Sequence, residues 1–123
     1  MSGWSAEDLR LIDAARELEI AVERPDGRPG RWLPIWVVRA DDQVYVRTWY
    51  RRDTGWYGRA LRSRRARIRV PGREADVTVE DVGAASTRLG AAVDDAYRAK
   101  YGSGADSMVT DTAVATTLRL TPE

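Results

Sequence analysis

Residues 65–80 limit the possible folds more than any other stretch. Arg65, Arg67 and Arg69 alternate with Ala66, Ile68 and Val70. Pro71-Gly72 turns the chain, and Ala75, Val77 and Val79 then alternate with Glu74, Asp76, Thr78 and Glu80. A period of two on both arms predicts a β-hairpin with one aliphatic and one charged face. Folding the arms together sets arginines opposite acids, so the charged face is explained by cross-strand pairing before any ligand is invoked.

The remaining elements follow from caps, periods and breakers. Ser5, with Asp8 three residues on, starts a helix over about 6–17, with Trp4 and Leu9 at staple positions. Residues 19–24 alternate as a short half-buried strand. PDGRPG, residues 25–30, is a turn. Residues 32–38 then read as one strand, with Trp32, Trp36 and Val38 on one face and Leu33, Ile35 and Val37 on the other. Pro34 marks an edge or a bulge. Asp41-Asp42 turns into a partner strand over 43–49. A short helix is expected over 55–63, capped by Asp53 or Thr54, with Trp56 above Ala60 and Tyr57 above Leu61. A long helix is expected over 85–101 with Gly102 as its C-cap, then a loop over 102–106 and a strand over 112–120. The expected fold is one mainly β domain over residues 1–123, a six-stranded antiparallel barrel with flanking helices.

Composition narrows the chemistry. The 123 residues include no cysteine and no histidine. That excludes disulfides, thiol nucleophiles, imidazole bases and the ordinary zinc sites. No pair of carboxylates has a spacing that demands acid–base catalysis. No apolar run approaches the ~18 residues of a membrane span. MSGWSAEDLR carries acids and no apolar core of a signal peptide, so a cytoplasmic location is expected. Charge is uneven. Residues 47–73 hold ten of nineteen arginines and one acid, Asp53, for a net charge of +9, against −8 elsewhere. Trp49, Trp56 and Tyr57 lie inside that stretch. Cations beside flat rings suit a phosphorylated planar ligand, or single-stranded nucleic acid. The acids of residues 74–80 weigh against nucleic acid by neutralising one face.

The candidate site residues fall in three groups. Arg28 and Arg31 flank the Gly-Pro turn, where guanidinium groups and turn amides could fork onto a phosphate. Arg51 and Arg52 precede the 55–63 helix, whose N-terminus favours anions. Trp56 and Tyr57 could wall a ring pocket or fill the core, as could Trp36 and Trp49. Lys100 reads as a last-turn cation facing the helix dipole.

Two segments resemble a known family. GRPGRWLPIWVV, residues 27–38, is similar to the turn and strand of the deazaflavin-dependent nitroreductases, with Gly27, Arg28, Gly30, Arg31, Pro34, Ile35 and Trp36 at matching positions. Residues 55–79 resemble that family's aromatic helix and following hairpin through Trp56, Tyr57 and Leu61. The chain also looks like a small branch of the wider superfamily of pyridoxamine-phosphate-oxidase-like flavin proteins. The resemblance implies a split β-barrel, a homodimer with cofactor near the interface, and binding of FMN or a deazaflavin. It implies an oxidoreductase in which the cofactor transfers hydride to or from a small organic substrate. The backbone of Pro34, Ile35 and Trp36 would line the ring. Thr48, Trp49, Tyr50, Arg51 and Arg52 stand where the family has Ser-x-Gly-Gly, and the Gly-Arg turn is one residue shorter. Those departures leave open a non-catalytic split-barrel protein that binds a small ligand without the cofactor. Large apolar residues on both faces of 32–38 separately favour a homodimer.

Overall fold

In the computed structural model, residues 3–48, 55–83 and 86–123 are described. The first helix, α1 (Ala6–Ala14), begins as its cap requires: the Asp8 amide donates to Ser5 Oγ at 3.0 Å and the Ser5 amide to Asp8 Oδ2 at 3.4 Å. It ends three residues earlier than the periodicity suggests. Leu18 must already be extended to pair with Ile35, so Ala15 leaves the helix in an extended conformation.

Seven strands form one antiparallel sheet among the described residues: β1 (Leu18–Val22), β2 (Leu33–Ile35), β3 (Val38–Ala40), β4 (Gln43–Val46), β5 (Arg65–Val70), β6 (Arg73–Asp81) and β7 (Leu118–Pro122). Their order is β2-β1-β5-β6-β7-β4-β3. The β5–β6 hairpin has the register its alternation predicts, with Arg67 opposite Asp76, Ile68 opposite Ala75 and Arg69 opposite Glu74. Its aliphatic face enters the core with Ile20, Val22, Val44, Val46, Leu118 and Leu120.

The expected single strand over 32–38 is two strands, which makes seven rather than six. Strands β2 and β3 lie at opposite edges of the sheet, yet only Trp36 and Val37 separate them. Laid flat, seven strands would hold those edges ~28 Å apart. Three residue steps reach at most ~11 Å. The sheet must therefore curl into an open half-barrel, and Trp36–Val37 crosses its seam. Apolar side chains on both faces of 32–38 are the mark of a segment that serves both edges.

The expected strand over 112–120 also needs correction. Thr110 Oγ1 accepts from the Ala113 amide and starts a helical turn, α4 (Asp111–Val114). Thr116 and Thr117 then donate their hydroxyls back to Ala113 O and Val114 O, at 2.6 and 2.7 Å. Extended structure begins only at Leu118, where β6 and β4 supply partners on both sides. Helix α2 (Gly55–Ser63) matches its expected bounds, while its expected caps, Asp53 and Thr54, lie outside the described residues. Helix α3 (Thr87–Tyr101) is capped by Ser86 and ends at Gly102, whose φ is 61°. The expected loop after it is a 3₁₀ segment, Gly102–Met108. A second core layer of Val38, Tyr45, Val82, Val93, Tyr97, Ala105 and Met108 binds α3 and that segment to the outer face of β3 and β4.

Candidate functional site at the sheet seam

Where the sheet fails to close, a cavity of about 500 Å³ opens beside the Trp36–Val37 crossing. Its wall comprises Glu17, Pro34, Ile35, Trp36, Arg47, Thr48, Trp56, Ser107 and Met108. Five segments supply these residues: the entry to β1, the β2 edge, the end of β4, helix α2 and the 3₁₀ segment.

The crossing is held rigidly. Trp36 stacks on Tyr101 with ring centroids 4.0 Å apart and planes 5° from parallel. The Tyr101 hydroxyl donates to Arg16 O at 2.6 Å and accepts from the Val37 amide at 3.1 Å. Lys100 Nζ donates to Val37 O at 2.9 Å and to Ile12 O at 3.2 Å. Both polar groups of the Val37 backbone are thus paired at a point where no strand partner exists. Half-burial lowers the Lys100 pKa, opposed by the charge of Asp13. A role for Lys100 as dipole cation alone is therefore too simple: it ties α3 to the seam and to α1.

Arg47 forms the floor of the cavity, and its charge is already used. Its side chain is fully buried. It donates to Thr117 Oγ1 at 2.8 Å, Asp94 Oδ1 at 2.5 Å, Met108 O at 2.7 Å and Gly90 O at 3.2 Å. A guanidinium with four such partners is not available to a ligand phosphate. By holding Met108 O, it fixes the Ser107–Met108 side of the wall. Adjacent to it, the Thr48 amide donates to Thr116 Oγ1, which donates back to Thr48 O.

Five of the sequence candidates meet in this cavity: Pro34, Ile35, Trp36, Thr48 and Trp56. Tyr57 is 2% exposed and belongs to the core, in edge contact with Trp56 at 5.8 Å. Arg28 and Arg31 are exposed on their turn and are not among the wall residues. Arg28 sits 3.8 Å from Asp26. The turn's glycines have backbone reasons. Gly27 has φ +83°, and a Cβ on Gly30 would lie 2.5 Å from Val22 O. Arg51, Arg52 and Trp49 lie outside the described residues. Of the arginine-rich stretch, Arg65 pairs with Glu23 and Glu123, Arg67 with Glu74 and Asp76, Arg69 with Glu19, and Arg73 with Asp8. Nucleic acid would find that face neutralised.

Glu17, Arg47, Ser107 and Met108 were not expected in the site. Only Arg47 carried a signal. In the alternation of β4, Val44 and Val46 face the inner core, so Tyr45 and Arg47 share the face that α3 covers. Among the described residues no group of three or more carboxylates, histidines or cysteines could hold a metal ion. No described helix is long and apolar enough to cross a membrane.

A family model described as "Uncharacterized protein conserved in bacteria (DUF2255)" matches residues 8–120. No curated protein matches the chain. Solved structures do. A conserved hypothetical protein of Mycobacterium tuberculosis has a TM-score of 0.66 at 16% identity, covering 98% of this chain and 79% of that one. An FAD-binding protein from Mesorhizobium loti has 0.61 at 16% identity, covering 97% and 88%. An F420 reductase has 0.52 at 16% identity, covering 93% and 90%. At such identities the likeness is one of fold alone: the antiparallel half-barrel with its flanking helices is shared with these proteins.

Proposed function

The chain belongs to the DUF2255 family of bacterial proteins, and from that premise we propose that it binds a flavin-type cofactor, FMN or a deazaflavin, in the seam cavity. The reading continues to an oxidoreductase acting on a small organic substrate. One observation carries it: a cavity of about 500 Å³, within the usual size for cofactor sites, is walled by Trp36, Trp56, Ile35 and an exposed strand edge. A flat ring system fits such a slot. When bound, the cofactor would supply the hydride chemistry.

The chain's own residues would bind and orient it. The β2 edge at Pro34–Trp36 would lie along the ring, with Ile35 and the Trp36 and Trp56 side chains excluding water. Ser107 and Thr48 bring hydroxyl groups to the wall. The described wall fits the ring better than a phosphate, because its one guanidinium is taken by Asp94. In this proposal the phosphate falls to Arg31, three residues before Pro34, and to Arg52, with Arg28 and Arg51 as outer support. Each charge-assisted bond contributes roughly 1.5–3 kcal/mol, so Arg31→Ala or Arg52→Ala should weaken binding about tenfold to a hundredfold. Titration of wild type and both variants with FMN and a deazaflavin tests the assignment. Equal binding by both variants would move the phosphate elsewhere.

The commitment of Arg47 favours a second reading, a small-ligand-binding protein without the cofactor and without catalysis. Absence of binding by either flavin in that titration would select it. The proposal also includes a homodimer, since Trp32, Ile35 and Trp36 remain partly exposed along the seam. Sedimentation at micromolar concentration should give twice the chain mass of 13.8 kDa.

A further inference from the structure

The arginine-rich stretch suggests an anion, yet the cavity wall carries a charge of opposite sign with no partner among the described residues. Of the two charged side chains in the described wall, Arg47 is neutralised by Asp94, while Glu17 makes no hydrogen bond or ion pair with a described residue. The fold places this carboxylate beside an aromatic ring. In the β1–β2 register Leu18 faces Ile35, so one step outward Glu17 comes opposite Trp36. Its neighbour Arg16 accepts the Tyr101 hydroxyl bond through its carbonyl, and Tyr101 in turn stacks on Trp36. Trp56 completes a wall of two indoles and one carboxylate.

Two indoles and a carboxylate lining one cavity are a recognition set for a positively charged nitrogen. The rings attract a cation through their quadrupoles, and the carboxylate adds direct charge attraction. An anionic substrate would meet repulsion from Glu17 and, among the described wall residues, no unpaired cation.

We propose that Glu17 selects, for the seam cavity, a ligand or substrate that carries an amine or quaternary ammonium group near an apolar body. The inference rests on the seam cavity being the functional site, as proposed above, but not on which cofactor it holds.

The test uses the full chain and three probes of similar size: benzyltrimethylammonium, benzyl alcohol and benzoate. Binding is followed by tryptophan fluorescence and by ligand-observed NMR at low salt. The ammonium should bind about tenfold more tightly than the alcohol, and benzoate most weakly. Raising the salt to about 0.5 M should shrink the difference, because the carboxylate is exposed. Glu17→Gln should bring the ammonium and the alcohol to within about twofold of each other, and Glu17→Lys should reverse the order towards benzoate. Equal binding of all three probes to wild type, no binding of the ammonium, or an ammonium preference that survives Glu17→Gln overturns the proposal. A flavin titration run in parallel separates the two ideas. Ammonium preference without flavin binding leaves Glu17 standing and removes the cofactor; flavin binding without ammonium preference does the reverse.

Discussion

At the scale of single residues, burial decides what an arginine is for. Arg47 and Arg67 sit in the same basic stretch, yet one is fully buried and the other paired in solvent. Replacing Asp94 with Ala leaves the Arg47 guanidinium inside the protein without its counter-charge. The expected loss is about 3 kcal/mol by urea unfolding. Arg67→Ala should leave the unfolding midpoint within error of wild type, since exposed pairs contribute little. Tyr97 makes the opposite point for a polar group. Its hydroxyl is buried without a hydrogen-bond partner. Burial pushes its pKa up, against the pull of the nearby Arg47 charge. The folded state therefore keeps this proton where the unfolded chain loses it. This contribution is complete below the unfolded value near 10 and is lost as pH rises above it. Tyr97→Phe should leave stability at pH 7 unchanged or slightly improved, and should flatten the decline above pH 10 in denaturation curves. None of this was legible in the sequence except by parity, because Arg47 reads like its nine basic neighbours until α3 is placed over it.

At the scale of elements, the seam crossing is the part that local pattern could not give. Alternation identified the β5–β6 hairpin with its register, caps placed the start of α1 and the end of α3, and the expected bounds of α2 agree with the structure. Alternation could not show that 32–38 divides between two edges, because both halves are apolar and Pro34 suits an edge or a bulge equally well. Threonines misled at 110–117: they suit strands, but here Thr110 caps a helical turn and Thr116 and Thr117 bond back to it. The crossing is held by hydrogen bonds more than by its own strand pairing. Tyr101→Phe removes the bonds to Arg16 O and the Val37 amide. It should cost about 1–3 kcal/mol, since a buried amide loses its acceptor. Trp36 should also lose its fixed stacking, read as a change in near-ultraviolet circular dichroism. Gly30→Ala tests the turn that was first read as a phosphate loop. A methyl group there would press on Val22 O. A cost of about 1–3 kcal/mol in thermal or urea unfolding is expected, whether or not a ligand is present.

For the molecule as a whole, one topological fact joins fold and function. A seven-stranded sheet whose two edges are joined by Trp36 and Val37 has to curl, and its incomplete closure leaves the cavity. The sequence, through its family resemblance, pointed to Pro34, Ile35, Trp36, Thr48 and Trp56 as parts of one site; the curl of the sheet is the physical reason they share a cavity, and it leaves Tyr57 in the core. The central claim is that this cavity takes a flavin-type ring. Calorimetric titration of the full chain with FMN and a deazaflavin, beside a Ser107→Trp variant, tests it most directly. Ser107 is exposed on the cavity wall, so an indole there should fill the slot without disturbing the core. The account predicts saturable binding of at least one of the two cofactors, one per chain, weakened at least about tenfold in the variant. Binding of neither cofactor to wild type, or equal binding by wild type and Ser107→Trp, would contradict it.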